Sequence, residues 1–281
     1  MTTRVAVIGA TGKMGRLVCD LVENSAEYEL VARLDSTSEL SEMLGADVAI
    51  DLTAPAVSQS VVDFAVSNGL RVLVGTSGWS QARIDALGHK LKGRTDVGAV
   101  IIPNFSLGSV LGTAFAALAA RFFDSVEIVE AHQAGKVDSP SGTAVRTAEL
   151  MAASRAGLGP VAAPHVDQRA RGQLVATVPV HSLRLAGVLA RQDVIFGGSG
   201  ETLTITHNTL SADAYERGIM VALAATGDCV GVTVGLDQLI DLGLSGEVLA
   251  AEPAGPAAGP AAGPAAGPAA GPEDAEMEPG E

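Results

Sequence analysis

Three glycines at intervals of three residues, Gly9, Gly12 and Gly15, constrain the fold of this chain more than any other feature. They directly follow an apolar stretch at residues 4–8, which reads as a buried parallel strand, and open a segment at 13–22 with helical spacing of apolar residues. In that context the glycines permit a tight turn, a close approach of backbone to a pyrophosphate, and close packing of helix on strand. Glycine spacing alone is weak evidence in a chain with 33 glycines, but the strand–turn–helix order predicts a dinucleotide-binding unit.

An acidic residue in a suitable place supports this prediction. Asp35 ends a second predicted strand at 29–34, about 20 residues beyond the glycine turn, where a carboxylate accepts hydrogen bonds from the adenine ribose hydroxyls. This favours NADH. Arg33 and Lys13 lie nearby and are able to meet a 2′-phosphate, so the choice between NADH and NADPH stays open. The alternative is a glycine turn with a solvent-facing Asp35 and no dinucleotide.

Strands and helices alternate through the rest of the first hundred residues. Further predicted strands at 48–52, 71–75 and 98–102 are separated by predicted helices at 56–68 and 81–91. Strands that alternate with helices predict an α/β fold built on a Rossmann-like, doubly wound parallel sheet.

After Pro103 the pattern changes to longer strands and glycine-rich turns. Helices are predicted at 109–122 and 143–155, and strands at 125–132, 176–185, 191–196 and 202–208. These elements predict an inserted α+β domain with a mixed, largely antiparallel sheet. Helical patterns at 212–225 and 236–242 then suggest that the chain returns to pack on the first domain.

Four segments follow from these patterns. We predict an NAD(P)-binding domain at 1–103, a second domain at 104–211, a return to the nucleotide domain at 212–245, and a tail at 246–281. The tail repeats Ala-Ala-Gly-Pro and ends in an acidic run, a composition that predicts disorder. A partner-binding or solubilising extension is the alternative.

Charge and composition exclude several classes of protein. The formal net charge is −14, and seven acidic side chains lie in 247–281, so the remainder carries about −7; clustered cations for nucleic acid are missing. Cys19 and Cys229 fit neither a disulfide framework nor a metal site. No apolar stretch near the start is long enough for a signal peptide or membrane span, so we expect a cytoplasmic protein.

A second constellation occupies residues 130–144. His132 ends a predicted strand, Lys136 follows in a loop, and Ser141 with Gly142 and Thr143 opens a helix. The unpaired N–H groups and positive dipole end of such a helix hold carboxylates, and the imidazole exchanges protons near neutral pH. The alternative is a surface loop in which a serine only caps the helix.

These two motifs, together with Val-Gly-Thr-Ser-Gly at 74–78 and Pro-Asn-Phe-Ser-Leu-Gly at 103–108, closely resemble the 4-hydroxy-tetrahydrodipicolinate reductase family. The resemblance runs in order from about residue 4 to residue 243. The segment Glu-x-His-x-x-x-Lys-x-Asp-Ser-Pro-Ser-Gly-Thr-Ala at 130–144 is highly specific to that family.

The resemblance implies an oxidoreductase of diaminopimelate and lysine biosynthesis that takes hydride from NADH or NADPH. It implies a small cyclic dicarboxylate as substrate, proton transfer by His132 and Lys136, and assembly of the second domain's sheet into a homotetramer. The implied substrate contacts are Gln133, Ser141, Gly142 and Thr143. The implied cofactor contacts are Gly9, Ala10, Thr11, Gly12, Lys13, Met14, Asp35, Gly75, Thr76, Ser77, Ile102, Pro103, Asn104 and Phe105.

Two departures from the family pattern matter. Gln133 stands where many members carry a second histidine; its amide donates hydrogen bonds but carries no charge. A family-typical basic residue after the last strand is replaced by Ala212 or Asp213, and Arg217 is not an evident substitute. The histidines at 89, 165, 181 and 207 are predicted to be surface or packing residues.

Two other functions compete with this one. One is another two-domain NAD(P) oxidoreductase, such as an aspartate or homoserine dehydrogenase, although those enzymes lack the 130–144 segment. The other is a nucleotide-binding module that has lost catalysis. Retention of both His132 and Lys136 argues against the silent module.

Overall fold

Two sheets with helices packed on them organise residues 2–241, the part of the chain that the computed structural model describes. The predicted tail at 246–281 lies outside the described residues. Within 2–241, no helix is both long enough and apolar enough to cross a bilayer.

The first sheet has six parallel strands in the order β11-β5-β4-β3-β1-β2. The strands are β1 (Thr3–Ile8), β2 (Tyr28–Leu34), β3 (Val48–Asp51), β4 (Arg71–Val74), β5 (Gly98–Ile101) and β11 (Gly231–Val234). The central strands are continuous runs of buried apolar residues because helices cover both of their faces.

Four helices sandwich this sheet: α1 (Lys13–Glu23), α2 (Pro55–Ser67), α3 (Gln81–Leu91) and α6 (Glu216–Gly227). Val18 of α1 and Leu223 of α6 belong to one apolar core. Val62 of α2 and Leu87 of α3 belong to a second core, on the opposite face. The predicted doubly wound α/β fold is therefore confirmed.

The second sheet is mixed, and among residues 2–241 helices pack on one of its faces only. Its strands are β6 (Ser125–His132), β7 (Gln173–Val175), β8 (Val178–Arg184), β9 (Ala190–Gly198) and β10 (Glu201–Thr209), in the order β10-β9-β6-β8-β7. Only β6 and β8 pair in parallel. The helices α4 (Leu107–Ala119) and α5 (Gly142–Ser154) pack on one face over Ile128 and Phe196. The other face, which we call the open face, carries Glu127 and His181.

Two sequence predictions fail locally in this region. The strand predicted at 176–185 begins later, at Val178, because Ala176 and Thr177 have φ of 45° and 78° and form the turn of the β7–β8 hairpin. β11 was not predicted from the sequence.

The return segment also differs in detail. The helix predicted at 212–225 begins as a 3₁₀ turn, Ala212–Tyr215, before α6. The helix predicted at 236–242 is only a 3₁₀ turn, Leu236–Gln238, as far as the described residues extend. In this segment α6 packs on the first sheet and β11 pairs with β5.

Candidate active site

A cavity of about 580 Å³ lies between the carboxyl ends of the first sheet's strands and the second sheet. Gly75 follows β4 and Asn104 follows β5, while His132 ends β6 and Lys136 follows it. Crevices at the carboxyl ends of parallel strands are where open α/β sheets bind ligands. Ten residues of the predicted site line this cavity: Met14, Gly75, Pro103, Asn104, Phe105, His132, Gln133, Lys136, Ser141 and Thr143.

The imidazole of His132 is held by a buried carboxylate. Its Nδ1 lies 2.6 Å from Oε2 of Glu130, whose side chain is 0% exposed. Both terminal nitrogens of Arg184 donate hydrogen bonds to the same carboxylate, at 2.9 and 3.0 Å. Burial would raise the pKa of Glu130, but hydrogen bonds from Arg184, Ser182 and His132 outweigh it, and the pKa lies below its ordinary value.

The N-terminus of α5 faces the same space. Ser141 caps the helix, because its Oγ accepts a hydrogen bond from Ala144 N at 3.2 Å, so this hydroxyl is already engaged. The N–H groups of Gly142 and Thr143, in the first turn, have no acceptor within the helix. Such groups attract anions, and the positive end of the helix dipole adds to the attraction.

Lys136 brings a cation to the cavity wall. Its Nζ lies 2.8 Å from Oδ1 of Asp138, and its side chain is 24% exposed. The Lys136 ammonium lowers the pKa of Asp138. A carboxylate entering the cavity therefore meets an ammonium that has one anionic partner in place.

The glycine turn has the shape that a dinucleotide requires. Gly9 has φ of +86°, and a Cβ there would collide with the carbonyl of Leu52. A Cβ at Gly15 would collide with the carbonyl oxygen of Gly9, so the third glycine lets α1 pack tightly on the turn. A Cβ at Gly75 would meet Leu52 and Phe105.

A second cavity, of about 250 Å³, lies beyond the glycine turn and is lined by Ala10, Thr11 and Asp35 together with Arg16 and Arg33. Asp35 Oδ1 accepts hydrogen bonds from the backbone N and the hydroxyl of Thr37 at 2.8 and 2.7 Å, which lower the pKa of Asp35. The Arg33 guanidinium forms an ion pair with Glu23.

Some residues of the predicted site line neither cavity: Gly9, Gly12, Lys13, Thr76, Ser77, Ile102 and Gly142. The Thr76 hydroxyl donates inward to Asp51 O at 3.3 Å. Ile102 is 1% exposed in the apolar core, so only its backbone is available to a ligand. Gly9 and Gly12 shape the turn instead of lining a wall.

Sequence reasoning gave no site role to several residues in or beside the cavity, among them His207 and Arg184. Arg184, at the end of β8, carried no motif of its own. His207 was expected to be a surface or packing histidine, but it lines the large cavity, and its Nε2 lies 3.2 Å from Ser106 Oγ. A Cβ at Gly108 would collide with the His207 ring, and burial lowers the pKa of this histidine. Pairing of His207 with Gln192 across β9 and β10 was the available signal.

Known proteins match this chain along most of its length. The family model described as the N-terminus of dihydrodipicolinate reductase matches residues 3–105, and the C-terminus model matches residues 108–240. The 4-hydroxy-tetrahydrodipicolinate reductase of Clavibacter michiganensis subsp. michiganensis is 64% identical over 257 residues, covering 92% of this chain and 93% of that protein. The enzyme of the same name from Cutibacterium acnes is 43% identical and covers 85% of this chain and 99% of its own.

A solved structure agrees with these sequence matches. The dipicolinate-bound dihydrodipicolinate reductase from Paenisporosarcina sp. TG-14 superposes with a TM-score of 0.73 at 31% identity, covering 85% of this chain and 100% of that one. The chain therefore belongs to the dihydrodipicolinate reductase family of oxidoreductases.

Proposed function

We propose that this chain reduces 4-hydroxy-tetrahydrodipicolinate to tetrahydrodipicolinate with NADH or NADPH, in diaminopimelate and lysine biosynthesis. One observation carries the proposal: His132, Lys136 and the start of α5 line the same cavity as Met14 and Gly75 of the nucleotide side. The names of the relatives and the dipicolinate held by the structural neighbour support it.

The residues present fit a reduced nicotinamide dinucleotide. The turn has glycine at positions 9, 12 and 15, which a Rossmann-type pyrophosphate site requires, and Asp35 directly follows β2 and lines the second cavity. Gly75 and Phe105 line the large cavity on the nicotinamide side. When bound, this cofactor supplies the hydride.

The proposed substrate carries two carboxylates. We assign one of them to the N–H groups of Gly142 and Thr143 and to the Thr143 hydroxyl. Asn104 Nδ2 lies 3.3 Å from that hydroxyl oxygen; because it donates to the oxygen, the hydroxyl proton is left to point at a ligand. Lys136 supplies the neighbouring positive charge, and the Gln133 amide replaces the histidine of other members with a neutral donor.

The reaction adds a hydride and a proton to the ring and releases water, so the chain must deliver a proton at a fixed position. The Nδ1 of His132 is occupied by Glu130, which leaves Nε2 to exchange a proton in the cavity. Lys136 is the second proton donor in this scheme. Both side chains line one cavity, so both can reach a ring bound there.

Assembly and location extend the proposal. We assign residues 104–211 to substrate binding and oligomerisation and the open face to a homotetramer contact. That face exposes Leu183 and Ile195, at 44% and 39%. A cytoplasmic location, the boundaries of the four segments and the absence of nucleic-acid partners stay predictions.

The direct test mixes the protein with the product of the preceding pathway enzyme and follows the absorbance of NADH or NADPH. Oxidation that depends on that product supports the proposal. Binding of NADH without oxidation would instead indicate the silent nucleotide-binding module. Activity with aspartate or homoserine in place of the cyclic substrate would indicate a different dehydrogenase.

A further inference from the structure

We propose that Glu130 and Arg184 are positioning residues, a buried ion pair that holds His132 with its proton on Nδ1 and fixes the start of α5 beside it. The inference rests on the proposed function, because it explains how this chain presents His132 to a substrate. Neither residue lines the large cavity, so both act through their neighbours.

The Glu130 carboxylate accepts hydrogen bonds from His132 on its own strand, from Arg184 and Ser182 on β8, and from the start of α5. Oε2 lies 2.6 Å from His132 Nδ1 and accepts from Arg184 Nη1 at 2.9 Å. Oε1 accepts from Ser141 N at 3.1 Å and from Arg184 Nη2 at 3.0 Å. An ionised carboxylate only accepts hydrogen bonds, so the His132 nitrogen that faces it must carry a proton.

The register of the second sheet brings these groups together. β6 and β8 run parallel, with Glu130 opposite Ser182 and His132 opposite Arg184, so their side chains lie on one face. That face is covered by α5, whose N-cap is Ser141. The pairing therefore places a guanidinium beside the carboxylate that holds the imidazole.

Arg184 also reaches the loop between β6 and α5. Its Nη2 donates to the carbonyl oxygen of Asp138 at 2.6 Å. One guanidinium thus connects strand β8, the carboxylate on β6 and the loop that carries Lys136. Arg184 thus connects the carboxylate that holds His132 with the backbone of Asp138, whose side chain pairs with Lys136.

The buried negative charge of Glu130 explains why Arg184 must pair with it. A carboxylate with no exposure and no cation would be costly and would take up a proton, after which it could donate a hydrogen bond to His132. The bidentate Arg184 keeps Glu130 ionised and neutralises its charge. The histidine is then held in one tautomer, as in other enzymes where a carboxylate orients a catalytic imidazole.

The same strand provides a natural control. Glu127 is on the open face, pairs with Arg171, and lies 2.7 Å from Nε2 of His181 through its Oε2. This cluster has the same three residue types, but none of its members lines the large cavity. Glu127→Gln therefore removes an equivalent carboxylate without touching the proposed site.

The first measurement needs no variant of the pair. NMR of the full chain with ¹⁵N-labelled histidine reports which ring nitrogen of each neutral imidazole carries the proton, and His132→Gln assigns the signal by its loss. We expect the proton of His132 on Nδ1. A proton on Nε2 in the otherwise unaltered protein would overturn the inference, whether or not the protein reduces the proposed substrate.

The second measurement uses Glu130→Gln, Arg184→Met and Arg184→Lys. We expect Glu130→Gln and Arg184→Met to lower kcat by roughly 10–100-fold with unchanged NADH affinity, as for lost partners of functional histidines. Both should also redistribute the His132 tautomers. Arg184→Lys should recover part of the loss. Glu127→Gln, compared with the parent at equal oligomeric state because Glu127 lies on the open face, should keep the parental kcat and His132 signal.

A folded Glu130→Gln protein with parental kcat and an unchanged His132 signal would refute the inference. If the substitutions prevent folding, the tautomer in the unaltered protein decides. Absence of any reductase activity in that protein would count against the proposed function alone, because the tautomer is read independently of turnover.

Discussion

Asn104 donates a hydrogen bond from Nδ2 to Oγ1 of Thr143, 39 residues further along the chain, at 3.3 Å. Asn104 follows β5 of the first sheet, and Thr143 lies in the first turn of α5 beside the second sheet. The same amide nitrogen also donates to Ser109 Oγ at 2.9 Å. The nucleotide side and the proposed anion site therefore meet through one amide.

Replacing Thr143 by valine should weaken substrate binding. The change removes the hydroxyl that we assign to a substrate carboxylate and leaves the Asn104 amide with one acceptor fewer. We expect KM for the cyclic dicarboxylate to rise about tenfold, the loss of one hydrogen bond to a charged group, with NADH affinity unchanged. Steady-state kinetics and NADH fluorescence titration check this, and Thr143→Ser should retain the parental KM. An unchanged KM in Thr143→Val would remove this hydroxyl from the site.

His132→Gln should abolish most turnover and leave the dinucleotide site intact. Positioned proton transfer contributes typically about 10²–10⁴-fold, and the glutamine amide cannot replace it. The measurements are kcat and the dissociation constant for NADH. His89→Gln is the matched control, because His89 is exposed on α3 and lines neither cavity. Equal turnover in the two variants would contradict the assignment.

Two helical glycines should respond to alanine in opposite ways. A Cβ at Gly15 would strike the carbonyl oxygen of Gly9, so Gly15→Ala should lower the free energy of unfolding by about 3 kcal/mol and weaken NADH binding. Gly88, within α3, has no atom within 4 Å of the added Cβ. Gly88→Ala should raise the free energy of unfolding by about 0.5–1 kcal/mol. Urea titration of both variants measures their free energies of unfolding. Similar changes in the two variants would contradict the close approach of the Gly9 carbonyl to Gly15.

His207 should make stability depend on pH. Burial lowers its pKa from the ordinary value of 6.5, so between the two values the unfolded chain binds more protons than the folded one. The free energy of unfolding contributed by neutral His207 is present above about pH 6.5 and falls as the pH drops towards the lower folded value. His207→Gln should therefore lose less stability than the parent between about pH 8 and pH 5 in urea titrations. Identical losses in both proteins would show that His207 is not desolvated.

Asp35 should favour NADH over NADPH. The hydrogen bonds from Thr37 lower its pKa, so the carboxylate is ionised where the adenine ribose would lie, and a 2′-phosphate would be repelled. We expect Asp35→Ser to shift the ratio of kcat/KM for NADPH to that for NADH upward by about tenfold. Asp63→Ser, on α2 and paired with Lys90, should leave the ratio unchanged. A fall in the ratio for Asp35→Ser would contradict this role.

Local sequence patterns were sufficient to predict helices and strands whose apolar residues follow a single helical or strand period. The helix at 81–91 and the strand at 125–132 were predicted with the bounds that α3 and β6 have. The β7–β8 turn escaped because Ala176 and Thr177 adopt positive φ without the glycine or asparagine that normally signals it. β11 escaped because its place beside β5 depends on residues far away in the chain.

The residues of the candidate site also fall into two groups: those that a local motif predicts and those that only strand pairing brings to the site. His132 and Lys136 stand in a contiguous motif, from which their roles were predicted. Arg184 and His207 were missed because their relation to the site follows from strand pairing, which brings Arg184 opposite His132 and His207 opposite Gln192. The register of β6 and β8, which are far apart in the chain, is set by the whole sheet and has no local signature. The register of the β9–β10 hairpin is fixed by its two-residue turn, so the pairing of His207 with Gln192 had a local signal.

The position of β11 at the edge of the first sheet affects how the chain folds while it is being synthesised on the ribosome. β5 remains an edge strand until Gly231–Val234 has been synthesised, after the entire second sheet. A nascent chain in which the first sheet has begun to form therefore has an unpaired edge at β5 while the second sheet is being synthesised. A chain truncated before Gly231 should therefore aggregate, because the edge of β5 stays unpaired.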